Sequence, residues 1–364
     1  MFDYIALVQT LLHKGLLLTL VFLGFGLLIS IHECGHFLFA KLFGVATPTF
    51  SIGMGPVIFQ KKAWKTDFCL SLLPIGGYVE IATKPEPNMP KLPYGSYFND
   101  KPYWQKLCIM LGGITFNIIS AFLIYAAVFA HGKPTLQIKN LIINEVLPNT
   151  AAEKAGLRKD DIVTHFNKQE LATIENFSLN TFLPKTKNNL LITVERNNQT
   201  IDLTINVPNE KQNPRVGIQY SPHVFSISEQ KLSFMESIKE AANTTKETMR
   251  STFFAIKSMF ASRSLKNAGG PVMIFSQSFK MAEQGLKALF LFLAFISINL
   301  ALINFLPLGA LDGGQIFFVT IEWIIRRELP DFFKLAINLF SLLLFAGLAL
   351  YLTFFDVLRI FFSR

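Results

Sequence analysis

Two histidines four residues apart, with a glutamate between them, are the residues of this chain best suited to chemistry. His32-Glu33-Cys34-Gly35-His36 is a His-Glu-x-x-His pattern. On a helix it sets two imidazoles at i and i+4 on one face, where both can bind one zinc ion. Glu33 then lies beside the metal and can act as general base on a zinc-bound water. Cys34 falls roughly 200° around the helix from His32, away from that face, and reads as a small apolar filler. A catalytic zinc site needs a third protein ligand. The best candidate is Asp312, in Asn304-Phe305-Leu306-Pro307-Leu308-Gly309-Ala310-Leu311-Asp312-Gly313-Gly314. Pro307 disrupts a helix there, and Gly313-Gly314 let the backbone turn. The competing reading of Asp312 is a helix cap before a glycine turn.

The elements that must carry these residues are apolar. Four long segments stand out, at about 15–43, 107–130, 288–308 and 335–355, and each can cross roughly 30 Å of hydrocarbon as a helix. The composition agrees: 51% hydrophobic residues, 16% charged and 37 phenylalanines among 364 residues imply a polytopic membrane protein. The zinc motif sits at the end of the first segment, where ionisable side chains are costly and functional by default. Lys14 before an apolar run resembles a signal peptide, but no small-x-small site follows and the run leads into the motif. A retained transmembrane helix is expected. The net charge of +9 is spread along the segments outside these runs. No nucleic-acid motif accompanies it, so contact with the lipid bilayer explains the charge and no nucleic-acid partner is expected. Three cysteines are too few for a disulfide framework.

The connecting segments have characters of their own. Residues 50–53, 57–59 and 68–73 read as short apolar strands or hairpins attached to the first helix. Residues from about 139 to 207 alternate strand candidates (142–146, 162–166, 191–195) with a turn, short helix and glycine stop at 148–157. That pattern resembles a PDZ domain, a module that binds extended chain ends by strand addition. Residues 232–260 carry apolar positions at helical spacing and read as amphipathic helices, on the membrane surface or packed as cover.

Together these motifs resemble the bacterial site-2 intramembrane zinc metalloproteases of the RseP type, in peptidase family M50. His-Glu-x-x-His in the first span, Asn-x-x-Pro-x-x-x-Leu-Asp-Gly in the third and a PDZ-like segment between the second and third carry the resemblance. It covers nearly the whole chain. It implies zinc held by His32, His36 and Asp312, with Glu33 as catalytic base. The family's membrane-associated hairpin matches Pro74-Ile75-Gly76-Gly77-Tyr78-Val79. The resemblance therefore assigns substrate handling to Gly76, Gly77 and Tyr78, and to Asn299, Asn304 and Pro307 of the third span. For the two asparagines, interhelical hydrogen bonding is the competing role. Relatives with two PDZ domains exist, whereas only one pattern is found here.

The expected fold is a polytopic α-helical membrane protein of about four spans, with a membrane-associated β-hairpin and an inserted PDZ domain. Its expected boundaries are a first span over 1–43, hairpin region 44–105, second span 106–131, PDZ domain 132–210, connector 211–285, third span 286–312, loop 313–334 and fourth span 335–364. Lys61, Lys62, Lys65, Lys84, Lys91 and Lys101 in the first loop, with Arg326 and Arg327 in the last, place both loops in the cytoplasm by the positive-inside rule. The PDZ domain would then lie in the periplasm of a bacterial inner membrane. The expected activity is regulated intramembrane proteolysis of single-span proteins, for the family anti-sigma factors and signal-peptide remnants. A catalytically silent PDZ scaffold and an intramembrane zinc transporter are the alternatives.

Overall fold

The computed structural model describes residues 2–85, 92–93, 95–147, 150–171, 189–197, 199–206, 218–262 and 269–362. The chain divides into two compact units, Phe129–Phe234 and the remainder. In chain order the elements are α1 (Phe2–Leu42), β1 (Thr49–Ala63), β2 (Thr66–Val79), α2 (Tyr103–Ala130), β3 (Lys133–Val146), α3 (Ala151–Lys154), β4 (Ile162–Phe166), β5 (Gln169–Glu170), β6 (Asn189–Arg196), β7 (Gln199–Asn206) and β8 (Ile218–Gln230). They continue with α4 (Phe234–Ser262), α5 (Pro271–Glu283), α6 (Leu286–Asn304), α7 (Asp312–Ile325) and α8 (Asp331–Phe362).

Among the described residues, four helices are long and apolar enough to cross a membrane: Val8–Leu42, Tyr103–Ala130, Leu286–Asn304 and Asp331–Arg359. A helix satisfies its own backbone, which is why uncharged runs of this length take this form in lipid. The protein is thus a polytopic membrane protein. Leu17, Val21 and Leu28 of α1 pack against Ala282 of α5 and against Leu289 and Leu293 of α6. In contrast, α8 leaves Phe332, Phe340, Leu343, Leu350 and Phe354 exposed, as a helix facing lipid does.

The third span differs from the sequence expectation of 286–312. Its helix stops at Asn304, and Asp312 opens a separate helix, α7, within the stretch read as a loop. Pro307 cannot donate to the helix ladder. Gly313 and Gly314 then fold under the turn: a Cβ on Gly314 would lie 2.2 Å from the Leu308 carbonyl oxygen. The break and the restart are both set by this seven-residue turn.

The three short strands expected after the first helix merge into one hairpin, β1–β2, closed by left-handed Trp64 and Lys65. It folds over on itself. Phe50, Ser51 and Ile52 pair with Phe68, Cys69 and Leu70 on one side and with Val79, Tyr78 and Gly77 on the other. The last segment of β2 is thereby set against α1.

The smaller unit is an antiparallel sheet of order β7-β6-β4-β3-β8, with β5 on β4. Alternation is strict in β6, where Leu190, Ile192 and Val194 are buried. They join Leu141, Ile143, Leu157, Val163 and Phe166 in one core. Strand β8 falls in residues read from sequence as connector. It pairs with β3 from Val146–Ile218 to Lys133–Gln230 and covers an edge fourteen residues long.

Candidate metal centre

The zinc motif begins ten residues before the end of α1 at Leu42, about 15 Å along its axis. What surrounds it is mostly α2. At the crossing, Gly35 and Gly112 bring the two backbones together: a Cβ on Gly35 would sit 2.2 Å from the Gly112 carbonyl oxygen. Small residues permit such an approach in membranes. It turns positions 109, 113 and 117 of α2, one helical face, toward the histidines. Gly113 leaves the space the imidazoles fill, since a Cβ there would lie 2.4 Å from His36 Nε2.

Both rings are buried and held from behind. His36 Nδ1 lies 2.8 Å from the Ile109 carbonyl, which can only accept, so the proton sits on Nδ1 and Nε2 is left free to bind a cation. His32 Nδ1 lies 3.1 Å from the Asn117 side-chain amide. Oδ1 and Nδ2 of that amide are interchangeable by a flip. With the oxygen turned to Nδ1–H, a buried Oδ1 that otherwise lacks a hydrogen bond gains one, and His32 Nε2 is freed as well. Asn117 is itself anchored, because Ser297 of α6 donates to its carbonyl at 2.9 Å and Ser120 bonds Ser297 at 3.0 Å.

Asp312 completes the cluster. Its carboxylate oxygens lie 3.1 Å from His32 Nε2 and 3.4 Å from His36 Nε2, and the two Nε2 atoms are 3.3 Å apart. Tetrahedral zinc with bonds near 2.0–2.1 Å has ligand-to-ligand edges of about 3.3 Å. The two ring nitrogens are one such edge apart, and one ligand atom from each of the three residues lies within 4.8 Å of the others, so the group can hold one zinc ion. Asp312 Oδ2 is also buried with no hydrogen-bond partner of its own, as suits an oxygen whose lone pair serves a cation.

Glu33 stands between the two histidines in the motif and meets the hairpin. Its Oε2 accepts the Val79 N–H at 3.1 Å, so the end of β2 orients it. Gly77 is buried beside it, and a Cβ there would lie 2.9 Å from the Ser51 carbonyl oxygen and 3.8 Å from Glu33 Cγ. Asn304 Nδ2 stands 3.3 Å from His32 Nε2 at the end of α6. The other residues assigned to substrate handling lie further out. Asn299 is half-buried and donates to the Phe295 carbonyl of its own helix, Tyr78 is exposed on the hairpin, Gly76 is buried against Met54, and Pro307 lies in the exposed turn before Asp312.

Ile109, Gly112, Gly113 and Asn117 did not emerge from the motifs. A glycine pair and an asparagine inside an uncharged span were the available signals.

Residues 20–348 match peptidase family M50. A Clostridium perfringens protein named as a zinc metalloprotease is 31% identical over 92% of this chain and 97% of its own length. One from Campylobacter jejuni with the same name is 31% identical over 92% of this chain and 91% of itself. The protease eep of Enterococcus faecalis is 27% identical over 93% and 98%. A matched region that contains both histidines and Asp312, and a donor set shaped for zinc, point the same way: this chain belongs to peptidase family M50 and is a zinc metalloprotease.

Proposed function

We propose that the protein is an intramembrane endopeptidase that cuts transmembrane segments of single-span proteins, with Glu33 as its base and His32, His36 and Asp312 as its zinc ligands. The observation that carries this reading is the close cluster of His32, His36 and Asp312, held between apolar helices rather than at a water-facing surface. Zinc held there supplies Lewis acidity, polarising a carbonyl and bringing the pKa of a water down to about 7. Glu33 takes the proton of the attacking water on its carboxylate and returns it to the leaving amine. The Val79 N–H keeps that carboxylate turned to the site. A helical substrate has its carbonyls tied in i to i−4 bonds and must unwind before attack. The end of β2, with Gly76, Gly77 and Tyr78, offers backbone edge to an unwound strand. Asn304 and Pro307, at the break between α6 and α7, and Asn299, one turn up from Asn304, would meet the freed peptide groups.

The remaining parts of the reading are proposals of the same kind. The antiparallel unit is a PDZ domain, supported by the turn at Thr150, helix α3 and left-handed Gly156 before buried Leu157. The lysine-rich hairpin region and Arg326-Arg327 face the cytoplasm, and the PDZ domain faces the periplasm of the inner membrane. Substrates are anti-sigma factors and signal-peptide remnants. The enzyme family leaves no place for a silent scaffold or a zinc transporter.

The test is Glu33→Gln in the purified protein with a single-span model substrate. Zinc content should stay at the wild-type level while cleavage falls by about 10²–10⁴-fold, the range for losing a general base. Full cleavage with zinc in place would remove Glu33 from the mechanism.

A further inference from the structure

Where α2 begins and α7 ends, away from the metal centre, a cavity of about 290 Å³ is lined by Lys101, Lys106, Arg326 and Arg327. Two carboxylates, Glu322 and Glu328, also line it. Glu322 is engaged elsewhere: Lys334 lies 2.5 Å away and the Leu329 N–H donates to it at 2.9 Å. Glu328 accepts the Asn99 amide at 3.4 Å. The cations have no such balance. Lys101 donates to the neutral Phe43 carbonyl, and Lys106 stands over the Phe98 ring at 5.8 Å. Among the described residues neither Arg326 nor Arg327 has a carboxylate partner. We propose that this pocket binds the phosphodiester head group of an anionic phospholipid.

Charge and depth favour this occupant. Four converging cations exceed what a helix terminus needs, since the dipole of α7 accounts for one basic residue at its end. Arg326 also occupies a left-handed position, φ 56°, where helices usually place glycine or asparagine. A residue retained there against its backbone preference is consistent with a use for its side chain. The aromatic rings set the level. Tyr103 opens the α2 span and stacks on Trp323 at 4.8 Å, and Trp104 and Trp323 are both exposed. Tryptophan and tyrosine gather where hydrocarbon meets head groups, and basic pockets between spans at that level take anionic head groups. Ligand pockets start at about 300 Å³, so this one has room for a head group and not for a folded partner. It bridges α2 and α7, also joined by Tyr103 and Thr320 at 3.2 Å. These two helices supply the Ile109 carbonyl and Asp312 to the metal centre.

The experiment uses the full chain in nanodiscs of phosphatidylcholine with a minor share of phosphatidylglycerol. Lipids retained after release into detergent are counted by native mass spectrometry. Wild type should hold one phosphatidylglycerol in preference to phosphatidylcholine. Arg326→Gln/Arg327→Gln should lower that retention at least fivefold, and Arg326→Lys/Arg327→Lys should restore part of it. Lys61→Gln/Lys62→Gln removes the same charge from the hairpin tip and should leave retention unchanged. Equal retention in wild type and the glutamine pair, equal loss in the hairpin pair, or no preference over phosphatidylcholine would each overturn the site. Full displacement by millimolar inorganic phosphate would overturn the lipid as its occupant in favour of free phosphate. Zinc content and proteolysis do not enter the readout, so failure here is distinct from failure of the protease reading.

Discussion

The molecule contains two sheets built on opposite terms. The antiparallel unit has its own core, with Phe166, Leu141, Ile192 and Leu190 essentially excluded from solvent, and its strand β6 alternates as expected of a sheet with one wet face. The β1–β2 hairpin has almost none. Ile58, Phe59, Leu72 and Leu73 are exposed on it, its register shifts repeatedly, and its inner end rests on α1 through backbone contacts. The ion pairs follow the same division. Asp161 is buried and takes two bonds of 2.6 Å from Arg196, whereas the region after the hairpin is tied by an exposed pair. A sheet that holds itself together can be altered without disturbing a distant site. One that borrows its support from the catalytic helix cannot.

The largest effect should come from the self-contained sheet. Phe166 is the largest of the fully buried side chains, and Phe166→Ala should destabilise residues 129–234 by about 3–5 kcal/mol. Hydrogen exchange of the β4 and β6 amides would report it. Zinc content should not change, because all three proposed ligands lie outside this unit. Loss of zinc together with exchange protection would break the contrast between the two sheets.

The hairpin should behave in the opposite way. A Cβ on Gly26 would lie 2.6 Å from the Pro74 carbonyl oxygen, a backbone atom that cannot swing aside. Gly26→Ala should therefore lift the end of β2 from α1 at an overpacking cost of about 1–3 kcal/mol. The Val79–Glu33 hydrogen bond should weaken, and cleavage of a single-span substrate should fall while zinc and the antiparallel unit stay intact. Unchanged cleavage would mean that β2 does not orient the base.

What could be read from sequence follows the same line between local and borrowed structure. His32, Glu33 and His36 were legible because i and i+4 share a face on any helix. Asp312 was legible because a proline and a glycine pair bracket it. Both are local facts. Asn117 and the Ile109 carbonyl reach the histidines only through a crossing 73 or more residues away in sequence. Gly113 contributes by the absence of a side chain, and a backbone carbonyl carries no residue signature at all. Helix α7 was read as a loop because its glycines and proline are turn residues, and their packing against carbonyls is what starts the helix. Strand β8 was assigned to a connector because its fourteen-residue partner edge is visible only once β3 is formed. The hairpin's fold-over, with Phe50 to Ile52 paired on both sides, has no counterpart in a strand pattern.

The smallest effect is expected at the hairpin region's outer tie, between Lys84 and Asp331 at the start of α8. Hydrogen bonding to the Asp331 carboxylate, then its charge, raises the Lys84 pKa above its ordinary value. For a lysine with a raised folded-state pKa, the contribution is complete below the unfolded value and is lost as pH rises through the raised one. The tie should thus hold from neutral pH up to the ordinary lysine range and release at still higher pH. Both side chains are largely exposed, so salt should also loosen the tie: at 1 M the screening length is about 3 Å. A spin label at position 335, in protein with Cys34, Cys69 and Cys108 replaced, would report the mobility of the α8 start. It should rise in 1 M salt and at pH above the ordinary lysine range, and Lys84→Ala should show the raised mobility under all conditions. The Asp161–Arg196 pair is the matched control, since burial shields it from salt. If salt frees the buried pair as readily as the exposed one, the difference in how the two regions are tied disappears.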